Sequence, residues 1–237
     1  FKNLSENQYV SKDISFYIIC DVFGTYNRFI KLKSVSIFNK SHIIQKIMQI
    51  HRIISEYIQT NIYIIEEEKE AILIDAGANT KKVIDFLNKH NLKLKFILMT
   101  HNHLDHSKSL KEIQTKTGAK IFMSRKDNNI EFGENLENFT DIKEGDIFKL
   151  NKTKLEAIST PGHTQGGFCF YNKEENILFS GDTLFNQGIG RTDLPTSSEK
   201  DMAESLIKLF KLPENTIVYP GHNEKTTIKS EKLHYNF

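Results

Sequence analysis

The sequence predicts a layered α/β domain, and three observations carry that expectation. Short apolar runs rich in isoleucine, valine and phenylalanine recur from residue 52 onward, at lengths that suit buried strands rather than helices. Polar stretches with helical spacing of apolar residues separate several of these runs, the arrangement of domains whose helices pack on sheets. Histidines and aspartates follow directly after four of the runs, where a rigid sheet holds side chains in register with one another. No internal repeat or long linker interrupts the pattern. A single domain over 47–237 is therefore expected, preceded by an N-terminal extension over 1–46.

Taken in order, the extension carries Lys2, Lys12, Arg28, Lys31, Lys33, Lys40 and Lys46 against Glu6, Asp13 and Asp21, with an apolar stretch over 14–20. It reads either as the remnant of a targeting segment, which tends to be basic and poor in acids, or as an added strand and short amphipathic helix. The chain begins with Phe1 rather than methionine, which reads as a trimmed or processed form. Strands are expected at 62–65 and 71–74, a helix over 81–90, a strand at 96–99 and a polar helical stretch over 105–117. Further strands are expected at 121–123, 147–150, 155–158, 168–171, 177–179 and 217–219. A helix over 198–210 separates the last two, with Met202, Leu206, Leu209 and Phe210 at helical spacing.

With 237 residues, 38% hydrophobic and 11% aromatic, the chain can bury a sizeable core, which excludes a disordered chain. Lysine and arginine total 32 against 30 acidic residues, a net charge of +2. So even a balance gives no broad cationic field for nucleic acid or an anionic membrane. Cys20 and Cys169 make no disulfide framework and no CxxC pair, which points to a reducing compartment, the cytoplasm or an organelle.

Three of the nine histidines fall in Thr100-His101-Asn102-His103-Leu104-Asp105-His106, just after the run at 96–99. On an extended segment His101 and His103 leave on one face, while Asp105 and His106 face a neighbouring point where the chain turns into a helix. The other singular residues repeat one local design of strand, glycine and metal-competent side chain. They are His163 after Pro161-Gly162, Asp182 after Ser180-Gly181, and His222 after Pro220-Gly221. Four strand ends thus offer five histidines and two aspartates, nitrogen and oxygen donors suited to Zn²⁺, Fe or Mn²⁺. Seven donors exceed one tetrahedral site and suit two adjacent ions, the equipment of metal-assisted hydrolysis. Asp75 also ends a strand and is expected to support a ligand rather than to be one. His42, His51, His90 and His234 read as ordinary structural histidines, and Cys169 as a core residue. Tyr63 and Phe185 either line a pocket or fill core.

The ordered set Asp75, His101-x-His103-x-Asp105-His106, His163, Asp182 and His222 resembles the metallo-β-lactamase fold superfamily over residues 52–237. The resemblance implies an αββα sandwich with a dinuclear site at one sheet edge. His101, His103 and His163 would hold the first ion, Asp105, His106 and His222 the second, and Asp182 would bridge them. Within the superfamily, Gly181-Asp182-Thr183-Leu184-Phe185, Gly188-Ile189-Gly190-Arg191-Thr192-Asp193-Leu194-Pro195 and Tyr219-Pro220-Gly221-His222-Asn223 look like glyoxalase II-related hydrolases. Because 15 residues follow His222, the likeness is to the short type without a C-terminal helical domain.

What this likeness implies is hydrolysis of a thioester, S-D-lactoylglutathione or a related acylglutathione, with two divalent ions, Zn²⁺ foremost and Fe or Mn²⁺ as alternatives. Asp105 and Asp182 would orient the attacking hydroxide. Arg191 either contacts substrate or pairs with Asp193 to shape the loop after the bridging ligand. Persulfide dioxygenases share the Gly-Arg-Thr-Asp string and keep one iron at the positions of His101, His163 and Asp182, which makes them the main alternative. A lactonase on the same metals is another. Thr196-Ser197-Ser198 stands where the family often continues with glycines, a departure that bears on substrate choice.

Overall fold

In the computed structural model, residues 48–235 are described; the extension over 1–46, with Cys20 and His42, lies outside them. The first sheet contains β1 (Gln49–Ile54), β2 (Asn61–Glu67), β3 (Glu70–Ile74), β4 (Lys93–Leu98), β5 (Lys120–Met123) and β6 (Thr140–Asp141), in that spatial order. β1, β2 and β3 are antiparallel neighbours, and β3 to β6 run parallel. Three helices accompany this half: α1 (Thr80–His90), α2 (Leu104–Ser107) and α3 (Leu110–Thr117).

The second half opens with β7 (Ile147–Leu150), β8 (Thr153–Ser159), β9 (Phe168–Asn172) and β10 (Ile177–Gly181). A small ribbon, β11 (Leu184–Phe185) with β12 (Gly188–Ile189), precedes α4 (Glu199–Leu209). Then β13 (Ile217–Pro220), β14 (Thr226–Thr227) and α5 (Ile228–His234) complete the described chain. The spatial order of this sheet is β14-β13-β10-β9-β8-β7, with β10 and β13 parallel.

Alternation along the strands explains the layering. In β2, Ile62 and Ile64 pack with Val83 and Leu87 of α1 and with Leu110 and Ile113 of α3. Tyr63 and Ile65, pointing the other way, meet Phe170 and Phe179 of the second sheet. The far face of that sheet, Cys169, Leu178 and Val218, is covered by Leu209 beside Phe210 and by Ile228 of α5. The order is helix, sheet, sheet, helix. Strands covered on both faces read as continuous apolar runs, which is why β2, β9 and β10 stood out in the sequence.

Helix ends follow local chemistry. Asn79 accepts from Lys82 N–H to start α1, and Asn91 closes it in a left-handed conformation. Ser198 caps α4 through Asp201 N–H. The helical stretch expected over 105–117 is broken into α2 and α3. The backbone after β3 accounts for the break: Ala76 N–H donates to His106 O at 2.7 Å, and Ser109 N–H donates to Ala76 O at 2.8 Å. These bonds compete with the helix ladder and dock the turn that carries Asp105 and His106 against the end of β3. Among the described residues no helix is long and apolar enough to cross a membrane.

Phe170 is fully buried between the sheets. Phe170→Ala should lower the unfolding free energy by about 3–5 kcal/mol in urea titrations followed by circular dichroism. A loss below about 1 kcal/mol would show that the intersheet layer does not hold the domain together.

Candidate metal centre

Parallel β3 and β4, and parallel β10 and β13 with β8 running alongside, end at one edge of the sandwich. Asp75 follows β3, His101 follows β4, His163 follows β8, Asp182 follows β10 and His222 follows β13. All seven sequence-predicted ligands meet there. Three groups each bring their donor atoms within 4.8 Å of one another: His101, His103 and His163; His101, His106 and Asp182; and Asp105, His106 and His222. His103 Nδ1 faces His163 Nε2 at 3.0 Å. Asp182 lies between the groups, with His106 Nε2 at 3.2 Å, His222 Nε2 at 3.4 Å and His163 Nε2 at 3.6 Å. Asp105 Oδ2 is 3.2 Å from His222 Nε2 and 3.4 Å from His106 Nε2.

The hydrogen bonds behind these rings decide which nitrogen each one presents. Thr100 Oγ1 donates its one proton to Asp75 Oδ2 at 2.8 Å, so the His101 Nδ1 at 3.1 Å must be the donor to Thr100. His163 Nδ1 stands 2.9 Å from the Arg191 carbonyl, which only accepts. His106 Nδ1 lies 2.7 Å from Asp75 Oδ2. In all three, Nε2 is turned to the centre. Asp75 thus supports His101 and His106 rather than joining the ligand groups, as expected from its position. Its φ is 60°, a left-handed conformation held by Thr100 N–H at 2.7 Å together with the two side-chain contacts.

The buried His106 Nε2 and Asp182 Oδ1 meet in an ion-pair contact at 3.2 Å in place of an ordinary hydrogen bond, and His101 Nε2 is buried without a hydrogen-bond partner. Buried polar atoms are seldom left so. With nitrogen and carboxylate donors around them and no thiolate, these residues fit a first-row divalent ion. Electrostatics agrees. Burial drives His101 well below its ordinary pKa and His103 to about 4, with neighbouring imidazoles adding to the effect, so both are neutral and able to donate lone pairs. Burial also opposes charge on His106 and His222. There the Asp182 and Asp75 carboxylates outweigh it for His106, and Asp105 and Asp182 raise His222 to about 9. Against burial, His222 and His106 hold Asp105 at about 2, and His106 and His222 keep Asp182 well below the usual carboxylate range.

The glycines of the strand-glycine-ligand design act in two ways. Gly162 and Gly181 have φ of 146° and 50°, where a side chain is disfavoured. Gly221 does not adopt a left-handed conformation. Its reason is space, since a Cβ there would fall on Asp182 Oδ1 and His106 Cε1.

A cleft of about 590 Å³ opens onto His103, Asp105, His163 and Asp182. Arg191 and Leu194 line one side of it, and Tyr57, Ile58, Leu104 and Phe132 also face it. The Arg191 guanidinium is paired with Asp193 through two bonds of 2.7 Å, and its side chain reaches the rim of the cleft. Phe185 lies at the edge of the site, 5.9 Å from the His222 ring. Tyr63 is core, its hydroxyl donating to Pro220 O at 2.8 Å. His51 and His90 stand apart, both against Glu66, and His234 ends α5.

Three supporting residues escaped the sequence reading because no local pattern marks them. Asn61 Nδ2 donates to Pro220 O at 3.0 Å and Asn223 O at 2.8 Å, clasping the loop that carries His222. Thr60 Oγ1 donates to Asp105 Oδ2 at 2.8 Å. Asp127 accepts from Thr164 Oγ1 and Gly166 N–H, each at 2.7 Å, and braces the loop after His163.

Burial raises Asp127 from 3.8 to about 6, against the hydrogen bonds from Thr164 and Gly166. The fold binds this proton more tightly than the unfolded chain does. Its stabilisation is full below pH 3.8 and is lost as pH rises through 6, a difference of about 3 kcal/mol. Asp127→Asn keeps an acceptor for Gly166 N–H but carries no charge. Relative to the wild type it should therefore gain up to about 3 kcal/mol between pH 4 and 7 in urea unfolding. Parallel stability curves for the two proteins would contradict this.

Comparison with known proteins agrees with the geometry. A probable metallo-hydrolase of Streptococcus pyogenes is 32% identical over 220 residues, covering 83% of this chain and 94% of its own. The hydroxyacylglutathione hydrolase GloC of Haemophilus influenzae is 33% identical over 183 residues, 70% of this chain and 86% of its own. The crystal structure of TTHA1623 in a di-iron-bound form is similar with a TM-score of 0.69 and 27% identity, over 76% of this chain and 96% of that one. The family model described as the metallo-beta-lactamase superfamily matches residues 57–222. That span runs from the loop before β2 to His222 itself and contains the whole ligand edge, so the chain belongs to the metallo-beta-lactamase superfamily.

Proposed function

We propose that this chain hydrolyses a thioester, S-D-lactoylglutathione or a related acylglutathione. His101, His103 and His163 would hold one divalent ion, Asp105, His106 and His222 a second, and Asp182 would be shared. Zn²⁺ is the first choice, with Fe or Mn²⁺ as alternatives that suit the same donors. The observation that carries the reading is the convergence of the three donor groups, with the unpartnered buried His101 Nε2 among them, at the floor of an open cleft. The similarity to a hydroxyacylglutathione hydrolase supports the substrate class.

Bound divalent ions supply Lewis acidity, which acidifies water and polarises a carbonyl. The chain's own residues do the rest. Asp105 and Asp182 are ionised and accept hydrogen bonds, so they orient an attacking water at the cleft floor, Asp105 with its carboxylate fixed by Thr60. Thr100 and Asp75 hold the His101 and His106 rings in one tautomer. Leu104 and Phe132 give the approach to the cleft floor an apolar lining. The leaving thiol ionises near 8.5 and needs little help from an acid.

Purified metal-loaded protein should hydrolyse S-D-lactoylglutathione, and Asp182→Ala or His101→Ala should abolish turnover without unfolding the domain. Losing a residue that merely supports a ligand costs about 10–100-fold, so losing a ligand should exceed about 100-fold in kcat/KM. Retained activity in either variant refutes the site. The Gly190-Arg191-Thr192-Asp193 string favours a second reading, a persulfide dioxygenase with one iron on His101, His163 and Asp182. Oxygen uptake on glutathione persulfide, with no thioester hydrolysis, identifies it.

A further inference from the structure

Three residues around the cleft adopt left-handed conformations that their side chains disfavour. Ile58 and Gln59 have φ of 57° and 54°, and Phe132 has 62°. For β-branched or bulky residues such conformations persist only where the surroundings over-determine them. Here they do. Ser55 N–H donates to Thr60 O at 2.8 Å, Ser55 Oγ lies within bonding distance of the Tyr57 and Ala78 carbonyls, and Thr60 is bonded to Asp105. On the other flank Leu104 N–H donates to Phe132 O at 2.6 Å, and Gly133 pairs with His103 through a β-bridge. Both loops are therefore fastened to the ligand segment 103–105.

What these fastened loops present is apolar. Tyr57, Ile58 and Phe132 are 43%, 61% and 60% exposed, and with Leu104 and Leu194 they line the cleft beside His103, His163 and Asp182. Among the described residues that line the cleft, Arg191 is the one lysine or arginine, and Asp193 already engages it. A glutathione tripeptide carries two carboxylates, whereas the wall itself is apolar, with Lys108 Nζ, 4.8 Å from the Tyr57 ring, as the cation beside it. An alkyl or aryl chain matches it, and clustered exposed apolar side chains of this kind mark binding surfaces.

We infer that the wall formed by Tyr57, Ile58, Phe132, Leu104 and Leu194 receives the acyl group of the substrate. The site then selects thioesters with an apolar acyl chain of several carbons over those with a small hydroxyacyl group, and the thiol arm points toward solvent. This inference rests on the thioester reading and names its preferred acyl class.

The test compares acetyl, butyryl and hexanoyl thioesters of glutathione on the metal-loaded protein. The value of kcat/KM should rise about fourfold for each methylene the wall buries, the equivalent of about 0.8 kcal/mol. Calorimetry with the thioethers S-methylglutathione and S-hexylglutathione reads the same preference without turnover, the hexyl compound binding more tightly. Phe132→Ser and Ile58→Ser should each lower the hexanoyl-to-acetyl ratio, while Leu233→Ser, which removes an equally exposed apolar side chain on α5 outside the cleft, keeps it. Equal kcat/KM for acetyl and hexanoyl esters, with equal thioether affinities, overturns the inference and leaves thioester hydrolysis standing. Hydrolysis of no thioester overturns both.

Discussion

Five imidazoles and two carboxylates crowd one buried sheet edge, and the rest of the molecule is arranged to make that crowding tolerable. Asp182 is the pivot, within 3.6 Å of the rings of His106, His163 and His222. Charged groups out of water are costly unless they are paired or coordinate a cation. Imidazolium-carboxylate pairing serves Asp105, His106, Asp182 and His222, while His101 and His103 stay neutral. A divalent cation would take the place of those protons, and metal binding of this kind releases them. The family relationship and the donor chemistry point the same way.

Precision at this edge comes from elements on both sheets. The first sheet supplies the segment 101–106, and the second supplies His163, Asp182 and His222. Hydrogen bonds join the two at the ligand edge. Phe168 N–H donates to Thr100 O at 2.8 Å, Asn61 N–H to Gly221 O at 2.7 Å, and Tyr63 and Asn61 both reach Pro220 O. The left-handed Asp75 is part of the same economy of position. A conformation costing about 1–3 kcal/mol is kept because its carboxylate serves Thr100 and His106 at once.

The candidate ligands are legible in the sequence because their chemistry is rare and sits beside strong strand signals. Runs such as 62–65 and 168–171 are buried on both faces, so apolarity alone marks them. β1 is different: as an edge strand with His51 and Arg52 among its residues, it shows no apolar run. β6, β11, β12 and β14 are two residues long and exist through pairing with a neighbour, which no local pattern encodes. The α2-α3 break depends on Ala76, some 30 residues away in the chain, and so was invisible to helical periodicity. Asn61, Thr60 and Asp127 are common polar residues whose roles arise from contacts 37 to 162 residues apart. Gly221 belongs to the local design the sequence shows, but the structure needs it for the space it leaves to Asp182 rather than for a left-handed turn.

The central claim is that the seven gathered side chains hold two metal ions, and elemental analysis of protein purified without chelators tests it most directly. The account predicts two ions of zinc, iron or manganese per chain. One iron per chain would contradict it, removing Asp105, His106 and His222 from the catalytic centre and moving the reaction toward persulfide oxidation.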